Sequence, residues 1–188
     1  MKHMLGAIAL LLSTCIVACG QADRPKRQDA PTFDETVQWL AQQLPALAAY
    51  EGKLNGSAIT LRVISATFDG ASCTLLTHGE TVLPDGLKSG NGGTYLFSLI
   101  SLDPEKILVE RSPVSAEPPN YELTLSTKDG KRAIRRTIPA QNDHGAPRVY
   151  TDMISKFALN FDSEETARRF EKAFKHAVQM SQASKELF

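Results

Sequence analysis

From Ser57 onward the apolar residues of this chain recur at every second position, in short runs separated by turn-forming groups. A period of two sends successive side chains to opposite faces of an extended strand, so the pattern commits this stretch to β-structure. The runs predict strands over 58–68, 72–77, 94–102, 106–111, 121–127, 132–138 and 153–161. Asp69-Gly70 joins the first two as a tight hairpin, because glycine takes the positive φ that such turns need. Asp103-Pro104-Glu105 and Lys128-Asp129-Gly130 make two more short connections, and connections this short produce antiparallel neighbours. Two longer ones remain, the glycine-rich 78–93 and the stretch 139–152.

Helical periods flank the strands. Thr32-Phe33-Asp34-Glu35 has the form of a capping box, and Phe33, Val37, Leu40 and Leu44 follow at helical spacing until Pro45 weakens or ends the helix. Trp39 falls beside that stripe, where it either packs over the sheet or joins a contact surface. At the far end Asp162 is the expected cap, with Glu165 three residues on. Ala167, Phe170, Ala173, Phe174, Ala177 and Val178 then form one apolar face. Glu164 with Arg168, Glu165 with Arg169 and Glu171 with Lys175 are acid-before-base pairs expected on the wet side, and His176 is expected to be exposed among them. Phe170 and Phe174 are expected to plug a sheet or barrel.

The first eighteen residues serve a different purpose. Lys2 and His3 make a basic start, and 4–18 is an almost unbroken apolar run. A membrane-spanning helix needs about 20 apolar residues. A shorter run behind a basic start is instead the form of a secretory signal, which a mature protein lacks. Ile16-Val17-Ala18-Cys19 closes the run and resembles the lipobox of bacterial lipoproteins. The resemblance implies cleavage before Cys19 and a diacylglyceryl group on its sulfur. In many lineages it also implies a third acyl chain on the new amino terminus. Gly20 and Gln21 follow, with no aspartate behind the cysteine. In a two-membrane bacterium that is similar to lipoproteins forwarded to the periplasmic face of the outer membrane. Residues 20–31 carry Gln, Asp, Arg, Lys and two prolines, so they bury nothing and are expected to act as a disordered tether. The organisation is then signal 1–18, lipidated tether 19–31 and one globular domain over 32–188, an ordinary domain size.

Charge excludes two classes of partner. The chain has 21 basic and 21 acidic side chains, and removing Lys2 with the signal leaves 20 against 21. A nucleic-acid binder normally shows a basic excess, and so does a protein drawn by charge to acidic lipid. Of the three cysteines, Cys15 leaves with the signal, Cys19 is lipidated, and Cys73 is expected in the core as a small hydrophobe.

Seven meandering strands followed by one amphipathic helix resemble the order of pleckstrin-homology-like domains, from Ala58 to about Gln182. The resemblance implies a mostly β fold with flanking helices (α+β), a seven-stranded barrel or orthogonal sandwich with an added N-terminal helix and a C-terminal capping helix. A small lipocalin-like barrel or an α+β sandwich produces a similar pattern. Phosphoinositide-binding members of the family use basic residues around the first hairpin. Here that hairpin is Phe68-Asp69-Gly70-Ala71, short and acidic, so this activity is disfavoured. Peptide-binding members add an extended segment to an exposed strand edge by backbone hydrogen bonds, a mode needing no signature side chain.

Motifs for chemistry are sparse. His78, His144 and His176 are far apart and form neither HExxH nor a cysteine–histidine metal spacing, so no metal or cofactor is expected. Asp143-His144-Gly145 lies in an expected loop. Gly90-Asn91-Gly92-Gly93 precedes a strand instead of opening a helix, and so lacks the helix dipole that a phosphate would use. Lys131, Arg132, Arg135 and Arg136 put basic charge on both faces of one strand. That suits an exposed edge strand guarded against aggregation, or contact with an acidic partner. Arg132, Arg135, Arg136 and Tyr121 are the candidate partner contacts. The expectation is a non-enzymatic envelope lipoprotein that docks a protein partner. Its first rival is a carrier or sensor of a small apolar ligand, with a cavity lined by Leu61, Phe97, Leu123 and Phe157. Its second rival is a hydrolase in which His78, Asp85 and His144 converge.

Overall fold

The computed structural model describes residues 30–83, 86, 88–114, 116–141 and 147–186. The chain between Pro31 and Phe188 is one compact unit. It is mostly β with two helices, an α+β fold. Helix α1 (Phe33–Leu47) leads, followed by strands β1 (Ala49–Leu54), β2 (Ser57–Asp69), β3 (Ser72–Val82) and β4 (Lys88–Ser98). Then come β5 (Leu108–Arg111), β6 (Ala116–Glu117), β7 (Tyr121–Ser126), β8 (Ile134–Gln141), β9 (Pro147–Ile154) and β10 (Lys156–Phe161). Helix α2 (Glu164–Glu186) closes the chain. Seven strands form an antiparallel sheet in the order β6-β1-β2-β3-β4-β8-β9, and three form a small sheet in the order β10-β7-β5.

The capping box is present. Thr32 Oγ1 accepts from the Glu35 amide at 3.3 Å, and Glu35 Oε2 accepts from the Thr32 amide at 2.7 Å. Pro45 does not end α1, which runs two residues further to Leu47. With no N–H to donate to the Ala41 carbonyl, Pro45 weakens the helix, which stops two residues later. Leu40 and Leu44 of α1 are fully buried, and the helix packs on β2 and α2.

Several strand expectations needed correction, each for a physical reason. Among the described residues there are ten strands where alternation predicted seven. Strand β1, Ala-Tyr-Glu-Gly-Lys-Leu, carries two charges and a glycine and so has no clean alternation. Its full pairing with β2 makes it a strand. Residues 78–82 and 88–93 of the glycine-rich stretch are strand and not loop, because β3 and β4 pair along their length with Val82 opposite Lys88. The glycines are there for close approach. A Cβ on Gly93 would stand 2.7 Å from both Thr137 O and Ile138 Cγ2, and one on Gly92 would stand 2.7 Å from Thr77 O. The stretch 153–161 is split at Ser155, with β9 in the large sheet and β10 in the small one. Ser155 O accepts from both the amide (2.9 Å) and the hydroxyl (3.0 Å) of Thr127, which holds the corner where the chain changes sheets.

Helix α2 supplies the other half of the core. Ala167, Phe170, Phe174, Ala177 and Val178 are fully buried, and the helix packs on β5, β7 and β10. Its cap is Ser163, not Asp162: Ser163 Oγ accepts from the Thr166 amide at 3.3 Å. Phe170 touches both Trp39 (ring centroids 4.9 Å apart) and Phe161 (5.2 Å), so α1, α2 and β10 meet at one ring. Phe97, Leu123 and Phe157 lie in this core, Phe97 against Phe157 at 5.3 Å. Cys73 is fully buried and free, and burial pushes its thiol far above the usual range. Among the described residues no helix is long and apolar enough to cross a membrane.

Candidate functional site

Two surface features meet on β8 and β9. The first is a cleft of about 260 Å³ between the large sheet and β10. Tyr95 on β4 is directly opposite Arg136 on β8, and Arg136 is directly opposite Asp152 on β9. Partners opposite one another share a face of the sheet, so the three side chains form a row across three strands. Arg136 holds Asp152 through two parallel bonds, Nε to Oδ1 at 2.9 Å and Nη2 to Oδ2 at 2.7 Å. This bidentate geometry is the strong form of a carboxylate–guanidinium pair. The hydrogen bond from Arg136 holds the Asp152 carboxyl below its ordinary range against the opposing effect of burial, and Arg136 is raised in turn. Tyr95 stacks on Phe157 at 4.8 Å, and its hydroxyl is pushed up by burial, with Arg136 opposing. Leu61, Val63, Ile138 and Leu159 supply the apolar wall.

The second feature is β9 itself, an edge strand that pairs only with β8 among the described residues. Val149 is 73% exposed, Tyr150 52% and Met153 41%. Beside it a shallow apolar groove runs over Leu76, Thr94, Thr137, Pro139 and Val149.

The expected site residues scatter. Strand β8 is not an edge, because β9 covers its outer side, so the edge-guarding account of the arginines does not hold. Arg136 turns to the cleft, Arg135 is exposed on the opposite face, and Arg132 is exposed just before β8 with its charge felt at Asp152. Tyr121 lies in the small sheet opposite Phe161 and packs half-buried on the core, away from that row. His78 is exposed and borders the cleft. Cys19, Asp85, Asp143, His144 and Gly145 lie outside the described residues. His176 is half-buried instead of exposed, with Nδ1 3.0 Å from Thr36 Oγ1. Because that hydroxyl donates to Thr32 O at 2.8 Å, His176 donates to it from Nδ1.

The run Tyr95-Leu96-Phe97 is apolar throughout, so no local alternation singled out Tyr95. Nothing local marked Asp152 as its neighbour, since that depends on the β8–β9 register. Among the described residues no group of three His, Cys, Asp or Glu is placed to hold a metal ion. No protein-family model matches the chain, no curated protein matches it, and no solved structure matches its fold.

Proposed function

We propose that this chain is a membrane-anchored bacterial envelope lipoprotein, lipidated at Cys19, whose domain is a non-enzymatic module that docks a protein partner. The observation that carries the docking reading is β9. Edge strands are normally guarded by charge, proline or a covering element, because their free N–H and C=O groups template further pairing. Strand β9 is eight residues long, and three of them are exposed large apolar side chains. A partner segment laid along β9 would continue the sheet, with apolar side chains entering the groove beside Val149 and Leu76. The resemblance of the strand-then-helix order in the sequence to pleckstrin-homology-like domains motivates the same mode, since peptide-binding members of that family add an extended segment to a strand edge.

A photo-crosslinking residue placed at Val149 of the full chain in native membranes tests this. The expected result is one discrete envelope-protein adduct that is absent when the label sits at Lys128. With the label kept at position 149, paired Leu76→Lys and Met153→Lys substitutions should abolish it. Equal labelling from both positions would remove the docking reading. The alternative, a carrier or sensor of a small apolar ligand, draws its support from the apolar wall of the cleft at Leu61, Val63, Ile138 and Leu159.

A further inference from the structure

The cleft is a built site whose polar groups are not fully used. Arg136 has five N–H donors and directs two of them at Asp152. The Tyr95 hydroxyl, half-buried on the same face, makes no hydrogen bond to any described residue. A hydroxyl and a guanidinium edge side by side in a partly desolvated cleft present donors without a matching acceptor. The electrostatics favour an anion. Arg136 is paired with Asp152, Arg62 also lines the cleft, and among the described residues no acidic side chain lines it. The opposite wall is apolar. The volume, about 260 Å³, lies just under the ~300 Å³ at which small-molecule pockets usually begin. The occupant is therefore small.

We propose that this cleft binds a small molecule with a carboxylate head and a short apolar body, the head on Tyr95 Oη and the unshared N–H groups of Arg136, the body against Leu61 and Ile138. The stacked Tyr95–Phe157 pair and the Asp152 fork hold both donors in place before the ligand arrives, which lowers the ordering cost of binding. The absence of a Cβ at Gly92 and Gly93 lets β4 lie close against β3 and β8 at this end of the sheet. The site does not depend on β9 taking a partner, and crosslinking at Val149 reads that separately.

Hexanoate is the probe, with hexylammonium as the charge-reversed control, observed by saturation-transfer NMR with the full chain in lipid nanodiscs and empty nanodiscs as background. Saturable transfer to hexanoate above background, and none to hexylammonium, is expected. Tyr95→Phe keeps the ring and its stacking but removes the donor. It should weaken hexanoate about tenfold, the effect of one hydrogen bond to a charged group. Ala158→Phe, on the exposed face of β10 where Ala158 lines the cleft, should abolish binding by filling it. Transfer at background level overturns the proposal. So does equal binding of both probes, which would mean a merely apolar cleft, and so does binding that survives both substitutions.

Discussion

At the scale of single residues, environment overrode position on a helical wheel. Glu171 sits at a spacing that reads as solvent-facing, yet it is only 8% exposed and is held by Lys175 at 2.9 Å and Arg168 at 3.0 Å. Burial raises its pKa, and the two basic partners outweigh that, leaving it below the ordinary value. A carboxyl lowered on folding contributes stability that is present above its unfolded pKa, near 4.3, and lost as pH falls through the folded value. Glu171→Ala should therefore cost about 1 kcal/mol at neutral pH, between an exposed pair and a buried charged bond. In urea melts the difference from wild type should shrink below about pH 4. Gly93 carries the opposite lesson, since its role lies in an atom it lacks. Gly93→Ala would push a methyl to 2.7 Å from Thr137 O and should cost about 1–3 kcal/mol in the same melts, in the range of core overpacking.

At the scale of elements, α2 is both plug and clamp. Its apolar face was legible from spacing alone, because a period of 3.6 on one helix needs no knowledge of the rest of the chain. What it would touch was not legible. Phe170 joins Trp39 of α1 to Phe161 of β10, so Phe170→Ala should cost about 3–5 kcal/mol, and α1 should lose amide-exchange protection with it. Its exposed face was read less well. Glu164–Arg168 and Glu171–Lys175 form, but Arg169 lies 5.7 Å over the Trp39 ring, and its cation–π contact replaces the expected pair with Glu165. A helix packed on a neighbour offers its side chains partners that an isolated helix would not have. The strands followed the same rule. Clean alternation found the cores of β2, β5 and β7, whereas β1 and the glycine-rich half of β4 are strands only because a neighbour pairs with them.

At the scale of the whole molecule, the anchor and the domain make separate predictions. Mass spectrometry of protein extracted from membranes should find the amino terminus at Cys19 bearing acyl chains, and an intact Met1 terminus would sink the lipoprotein proposal. Two or three chains, each buried methylene contributing about 0.8 kcal/mol, make such an anchor durable where one chain alone is marginal. The domain carries its candidate functions at one end of the large sheet, on its two faces. Tyr95 and Arg136 line the cleft with Asp152 behind Arg136 on the same face, and Val149 and Met153 lie on the opposite face of β9.

The amino-acid order by itself determined a mostly β domain between two amphipathic helices, a buried Cys73 and an α2 that closes the core. Each of these follows from a local period or a local run of burial-seeking side chains. Only the tertiary structure decided that β9 and not β8 is the edge, that 153–161 divides between two sheets at Ser155, and that Arg136 turns inward to Asp152 and Tyr95. These are questions of register. A shift of one residue in strand pairing exchanges the inner and outer faces, and no local pattern carries that choice when both faces hold charges.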